Sequence, residues 1–209
     1  MSHGFVIFAS YLSAAYLLGS IPFGYVLVRI FRGEDVRQSG SGNIGATNVS
    51  RKSPALGAVT LILDAAKGFV AVELAARSGI PQGDPLLGRL MAACALAAIA
   101  GHMFPVWLSF CGGKGVATAL GAFLRFSPAA VAVAVAVFVV VVALGRRISL
   151  GSIVTAAIFP LAVWLVTRPP DTGAIALIAA AALMIIARHH QNIRRLLAGE
   201  EPKFSLGRK

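Results

Sequence analysis

Apolar residues in this chain run in blocks longer than a soluble amphipathic helix needs, and polar residues gather between the blocks. Continuous apolar stretches cover residues 5–28, 54–76, 86–108, 151–167 and 172–187. Roughly 20 apolar residues carry a helix across the hydrocarbon core, so each block is read as a transmembrane helix. The stretch 115–144 is different. As one helix its 30 residues are too long without strong tilt. As two, the piece 115–126 is short, and Ser127–Pro128 marks the break, because proline interrupts a helix or starts the next one. The first block follows a Met1–Gly4 segment without Lys or Arg and is 24 residues long. A cleaved signal has a basic start and a shorter apolar region, so this block is expected to be a retained span.

Composition supports lipid as the solvent. Of 209 residues 57% are hydrophobic and 13% charged, with a mean hydropathy of +0.81, whereas soluble domains carry about a quarter charged residues. The net charge of +11 would suggest nucleic acid in a soluble protein. Here it reads as Lys and Arg concentrated in cytoplasmic loops, and no nucleic-acid partner is expected. Dividing 115–144 into two helices and placing the N-terminus outside puts 14 of the 19 Lys and Arg on one face. The other face then holds only Arg77, Arg89, Arg125 and Arg168. A six-helix count would reverse this bias. The expected fold is therefore an all-α integral membrane protein, a bundle of seven transmembrane helices with an external N-terminus and a cytosolic C-terminus. It forms one domain over 1–209, with cytosolic segments 29–53, 105–114, 145–151 and 188–209. Cys94 and Cys111 form no CxxC pair and no cluster with His, so neither a zinc site nor a disulfide is expected.

Three of the cytosolic segments carry chemistry. The first contains Gly40, Gly42 and Gly45, with Ser41, Asn43, Thr47, Asn48 and Arg51 between and after them. Glycines let successive N–H groups turn one way and form an anion-binding concavity. An arginine can grip a phosphate with two parallel bonds. The spacing Gly40-x-Gly42-x-x-Gly45 matches the dinucleotide fingerprint, but that motif needs a preceding strand in a βαβ unit, and here a membrane span precedes it. The second segment ends in Gly112-Gly113-Lys114-Gly115 at the mouth of the short fourth helix, where backbone N–H groups and a lysine favour an anion. It is not a Walker A motif, since Leu108 stands where glycine is required and Gly115 where Ser or Thr is required.

The tail offers His189 and Asn192, three apart and so on one face of a helix, with Arg195 beyond. By itself it also reads as a basic juxtamembrane segment that meets anionic lipid. Arg146-Arg147-Ile-Ser149-Leu-Gly-Ser152 brings two hydroxyls to the start of the sixth span, where serines commonly cap helices. Within the second span, Asp64 and Lys67 are three apart. Intramembrane charges are costly and usually paired, so the two are expected to form an ion pair that steadies the bundle.

Three segments together resemble one family: SGSGNIGATNVSR (39–51), GHMFPVWLSFCGGKGVATALG (101–121) and RHHQNIRRLLAGEEPKF (188–204). Gly19–Gly24 and Asp64-Ala-Ala-Lys67-Gly68 fit as well. The chain resembles the bacterial acyl-phosphate:glycerol-3-phosphate acyltransferases of the inner membrane. The resemblance implies transfer of a fatty acyl group from acyl phosphate to the 1-hydroxyl of glycerol 3-phosphate, giving lysophosphatidate and phosphate. It implies that Ser41, Arg51, Lys114 and His189 hold glycerol 3-phosphate, and that Thr47, Ser152, Asn192 and the loop amides hold the acyl-phosphate head. Gly40, Gly42, Asn43, Gly45, Asn48, Gly112, Gly113 and Arg195 join them as substrate contacts. Cys111 departs from the basic or polar residue common before Gly-Gly-Lys, and the doubled His189–His190 offers two imidazoles. The hydroxyl proton passes either to the donor's own phosphate or to His189. No metal, cofactor or obligatory protein partner is implied, and the expected state is a monomer in the lipid bilayer of the inner membrane. The competing classes are a transporter of a phosphorylated metabolite and a membrane anchor. The first is disfavoured because the polar motifs gather on one face instead of at the midplane. The second leaves the glycine-rich loops idle.

Overall fold

The computed structural model describes residues 3–167 and 171–204 and is helical throughout, with ten α-helices among the described residues. They are α1 (His3–Ser20), α2 (Phe23–Arg32), the single turn α3 (Ala46–Val49), α4 (Pro54–Ala76), α5 (Pro85–Met103), α6 (Val116–Phe126), α7 (Pro128–Gly145), α8 (Ile148–Val166), α9 (Thr172–Arg188) and α10 (His190–Leu197). Among the described residues, five stretches are long and apolar enough to cross a membrane, or six when the bent pair α9–α10 is taken as one span.

Helix starts follow the local chemistry. The Ser53 and Asp84 side chains accept from the N–H groups of Leu56 (3.4 Å) and Leu86 (2.8 Å), and each is followed by a proline at the first helical position. Pro128 likewise opens α7 and makes the break at Ser127. Asp171 caps α9 by accepting from Ala174 N–H at 2.8 Å. The first apolar block departs from the single helix 5–28 expected from sequence. Pro22 divides it into α1 and α2, and α2 continues to Arg32, where Gly33 in the left-handed conformation ends it. Arg168, counted on the outer face, lies outside the described residues.

Contacts divide the chain into two compact units, Met1–Phe126 and Ser127–Lys209. In the first, α4 packs on α6 and α1 on α5. Lipid-like surroundings give apolar faces no reason to hide, so such helices hold together by close approach of small residues. A Cβ on Gly68 of α4 would collide with the Thr118 carbonyl of α6, and one on Gly121 of α6 with the Ala65 carbonyl of α4. Large apolar side chains meanwhile face outward, including Ile62 at 65% exposure. Glu73 on α4 ties α6 down by ion pairs to Arg125 and, within α4's own last turn, to Arg77.

Asp64 and Lys67 do pair, at 2.8 Å and both buried. The structure adds two partners that spacing alone did not show. Lys67 Nζ also donates to the Ile21 carbonyl at 2.7 Å, at the α1–α2 break, and lies 3.0 Å from Nδ1 of His102 on α5. In the second unit α7 packs on α8 and α8 on α9, and α9 turns by 58° into α10.

Candidate active site

In the first unit the glycine-rich segment sits on a small apolar floor. Val28 of α2, Val36, Ile44, Val49 and Leu108 are buried together, with Tyr25 and Leu56 against them. Leu108 comes from the segment after α5, so the two loops read from sequence as anion sites share one floor. Above it, the chain turns at Gly40 (φ +60°) and Gly42 (φ +68°), a backbone that other residues rarely adopt.

Asn48 holds this turn together. Its Oδ1 accepts from Ser41 N–H (2.9 Å), and the two hydrogens of its Nδ2 are shared among the carbonyls of Val36 (3.1 Å), Ser39 (3.0 Å) and Asn43 (2.9 Å). Asn48 was expected among the substrate contacts. Its amide is committed at both ends to the loop, and it is 3% exposed, so it braces the loop from within. Asn43 is similar: its Oδ1 accepts from Gly45 N–H at 2.8 Å.

Ser41, Thr47 and Arg51 are exposed. A Cβ placed on Gly40 would lie 3.2 Å from an Arg51 guanidinium nitrogen and would collide with Asn48 Oδ1. Arg51 therefore lies beside the glycine turn, in room that a side chain at position 40 would fill. The other basic groups of this loop are engaged. Arg37 binds Asp35 through two nitrogens (2.7–3.1 Å) and stacks over Tyr25. Arg32 and Lys52 both pair with Glu34, and Arg29 donates to Gly33 O at 3.2 Å. These pairs hold the Asp35 and Glu34 carboxyls below their ordinary pKa values, chiefly through the hydrogen bonds from Arg37 and Lys52 respectively. Arg51 has no acidic partner among the described residues.

The second loop folds back on the end of α5. Gly112 N–H donates to Met103 O (3.1 Å) and Gly113 N–H to His102 O (3.0 Å). Ser109 and Phe110 adopt left-handed backbone in the turn that makes this possible, at a cost of order 1–3 kcal/mol each. Lys114 is half-buried, two residues before α6 begins.

In the second unit the tail site is organised by a residue that sequence reasoning missed. Glu201, 8% exposed, receives four groups. Ser149 Oγ (2.6 Å) and Asn192 Nδ2 (2.7 Å) donate to Oε1, Arg195 Nε (2.7 Å) to Oε2, and Arg147 Nε (3.3 Å) to its backbone carbonyl. Burial raises the Glu201 pKa, but the hydrogen bonds from Ser149, Asn192 and Arg195, with the Arg195 charge, outweigh it and hold the carboxyl below its usual range. A left-handed turn at Gly199 brings the chain back so that Glu201 meets Arg195. The only sequence signal was an acidic pair after that glycine in a basic tail.

His189 stands at the α9–α10 bend and is buried, whereas His190 is exposed. The bend thus gives the two imidazoles different surroundings. His189 Nδ1 lies 2.7 Å from the Ile185 carbonyl. A carbonyl only accepts, so Nδ1 carries a proton and Nε2 holds the lone pair when the ring is neutral. Arg195 is committed through Nε to Glu201, and the Ser152 hydroxyl donates to Ile148 O of its own helix at 3.1 Å.

Among the described residues no group of three or more His, Cys, Asp or Glu side chains has the geometry to hold a metal ion. The arrangement offers exposed cationic and hydroxyl groups on a glycine turn, a lysine at a helix mouth and, in the second unit, a hydroxyl, an amide and a guanidinium gathered on the Glu201 carboxylate, with the His189 imidazole at the α9–α10 bend. Such donors bind phosphorylated, anionic groups.

The sequence and the fold both have known counterparts. The family described as glycerol-3-phosphate acyltransferase matches residues 9–199. A glycerol-3-phosphate acyltransferase of Syntrophotalea carbinolica is 50% identical over 194 residues, covering 92% of this chain and 95% of that one. One from Geobacter sulfurreducens is 47% identical over 193 residues, covering 92% and 95%. Among solved structures, the glycerol 3-phosphate form of PlsY (YgiH), an integral membrane glycerol 3-phosphate acyltransferase, superposes with a TM-score of 0.86 at 36% identity. That match covers 95% of this chain and 96% of that one.

Proposed function

The chain belongs to the glycerol-3-phosphate acyltransferase family, and from that premise we propose that it transfers a fatty acyl group from acyl phosphate to the 1-hydroxyl of glycerol 3-phosphate. The products are 1-acyl-glycerol 3-phosphate and inorganic phosphate. The observation that carries the site assignment is the braced glycine turn, which leaves Ser41, Thr47 and Arg51 exposed while every other basic group of that loop is engaged.

Ser41, Arg51, Lys114 and His189 bind glycerol 3-phosphate. Thr47, Asn192 and the amides of the glycine turn bind the acyl-phosphate head, with Ser152 assigned alongside them. Gly112 and Gly113 give Lys114 its place, and Asn43, Asn48 and Arg195 shape the two constellations. In the reaction the substrate hydroxyl attacks the acyl carbonyl, the carbon–oxygen bond to phosphate breaks, and the hydroxyl proton leaves with the phosphate. Acyl phosphate is already activated, so the protein mainly positions two anions side by side. Donors at the developing oxyanion supply roughly 3–4 kcal/mol each. His189, whose lone pair is on Nε2 when neutral, is the alternative base.

The proposed topology counts seven spans: α1–α2 as one, α4, α5, the short α6, α7, α8 and α9. The N-terminus is external and the C-terminus cytosolic, in a multi-pass protein of the bacterial inner membrane. The Lys and Arg distribution supports it. Both compact units serve as one catalytic domain, and the working state is a monomer.

Purified protein in detergent is expected to release phosphate only when acyl phosphate and glycerol 3-phosphate are both present. A transporter or an anchor would give no turnover in that assay. Reagents applied to cysteines introduced at 125, 146 and 168 test the topology, with 146 expected on the face opposite the other two.

A further inference from the structure

The buried charges beneath the second loop have no part in the binding assignments above, yet they touch it. Lys67 Nζ has three partners: Asp64 Oδ1 at 2.8 Å, Ile21 O at 2.7 Å and His102 Nδ1 at 3.0 Å. An ammonium has three donors and no acceptor. A carboxylate oxygen at ion-pair distance, a carbonyl and one imidazole nitrogen therefore surround it. With Lys67 as the ammonium, His102 Nδ1 accepts from it, which makes the ring neutral with its proton on Nε2.

That second nitrogen faces the loop. A Cβ added to Gly113 would land on His102 Nε2, and Gly113 N–H already donates to the His102 carbonyl at 3.0 Å. His102 thus meets Gly113 twice, once through its backbone and once through its ring edge, and Lys114 is the next residue. The imidazole is 3% exposed. The glycine at 113 is needed because nothing larger fits between the loop and this ring.

We propose that Asp64, Lys67 and His102 form a positioning relay for the Gly112–Gly113–Lys114 segment: the ion pair locks His102 as its Nε2–H form, and the ring edge sets where Lys114 stands. None of the three is assigned a contact with either reactant. The chain of dependence starts at Ile21, whose carbonyl is exposed to Lys67 by the Pro22 break. The anchor of the loop is therefore the same interruption that divides the first span.

Three measurements test the relay. With ¹⁵N-labelled histidine, the His102 signal, identified by its loss in His102→Asn among four histidines, is expected to show an unprotonated Nδ1 and a protonated Nε2. A protonated Nδ1, or a cationic ring, overturns the proposal. Second, His102→Asn keeps an oxygen to accept from Lys67 but removes the ring edge. The rate at which an amine-reactive ester modifies Lys114, read by mass spectrometry, is expected to change several-fold; an unchanged rate in the folded variant overturns the proposal. The third arm is kinetic and rests on the proposed acyl transfer. His102→Asn is expected to raise KM for glycerol 3-phosphate roughly tenfold while KM for acyl phosphate stays within about twofold. A fall in active enzyme at unchanged KM is what a purely structural role gives, and it would sink the relay. Failure of the wild-type chain to turn over would instead refute the acyltransferase reading, and the first two arms would still decide the relay.

Discussion

The two constellations solve the same problem with opposite chemistry. In the first unit a polar loop is held by the neutral Asn48 amide, which accepts once and shares its two hydrogens among three carbonyls. In the second a polar tail is held by the charged Glu201, which gathers Ser149, Asn192 and Arg195. A neutral brace leaves the nearby cation Arg51 without an acidic partner among the described residues. An anionic brace takes the nearby cation Arg195 for itself. The glycine loop thereby leaves its cation open, whereas the tail's own cation is held by its brace.

The largest effect expected from this contrast is at Arg51. Charged hydrogen bonds are worth roughly 1.5–3 kcal/mol, so Arg51→Ala should lower phosphate release about 10²-fold at fixed substrate. Arg51→Lys should restore only about a tenth of the wild-type rate, because a point charge cannot make two parallel bonds. If Arg51→Ala stayed within about threefold of wild type, the open guanidinium would have no use in binding, and the contrast would lose its functional meaning.

Removing the anionic brace should be the next most damaging change. Glu201→Ala strands three donors at once, with an expected loss of about 2–3 kcal/mol from the tail given the partial exposure of Arg195. Limited proteolysis around residues 198–204 should accelerate, and Glu201→Gln should fall between the two. Asn48→Asp is the matching test in the first unit. It keeps the size but turns donors toward carbonyls into acceptors, so about 2 kcal/mol should be lost locally. Hydrogen exchange over 36–48 reads that loss directly, and exchange unchanged from wild type would rule out Asn48 as the brace.

Acid should separate the braces. The Glu201 carboxyl sits below its ordinary 4.5 in the folded tail, so the unfolded tail takes up a proton more readily. Its contribution to stability is whole above the unfolded value and drains away as pH falls through the lower folded one. Proteolysis of the tail should therefore quicken at acid pH in the wild type and respond much less in Glu201→Gln. The Asn48 brace has no such group, although Asp35 at the loop's edge, also held below its ordinary value by Arg37, titrates in the same direction.

What the sequence revealed and what it hid follow from the range of each interaction. The spans are properties of local composition, and the Ser127–Pro128 break is a property of one ring, so both could be read directly. Pro22 carried the same signal, but the apolar run around it concealed the break. The Asp64–Lys67 pair was visible at spacing three, while its partners Ile21 and His102 lie 46 and 35 residues from Lys67 and were not. Glu201 was hidden for the same reason, since its partner Ser149 is 52 residues away. That the Asn48 amide turns into its own loop was not legible, because a side-chain amide has the same letters whichever way it faces. The different surroundings of His189 and His190 depend on a 58° bend that periodicity does not encode.

The smallest predicted effect falls on the two serines at the start of α8, and it separates family resemblance from geometry. Ser152 was assigned to the acyl-phosphate head by resemblance, yet its hydroxyl donates to Ile148 O of its own helix. Ser149, which resemblance did not single out, donates to Glu201 at 2.6 Å. If the helix bond is where the Ser152 hydroxyl stays during turnover, Ser152→Ala should change the rate by less than about threefold, the scale of one weak neutral hydrogen bond. Ser149→Ala should instead loosen the tail by about 1 kcal/mol, because a buried acceptor loses one of its three side-chain donors. A tenfold or greater loss for Ser152→Ala, appearing as a higher KM for acyl phosphate, would mean that the hydroxyl rotates away from Ile148 to meet the reactant. The resemblance would then have located a contact that the resting geometry conceals, and Ser149 would be the serine whose role is confined to bracing.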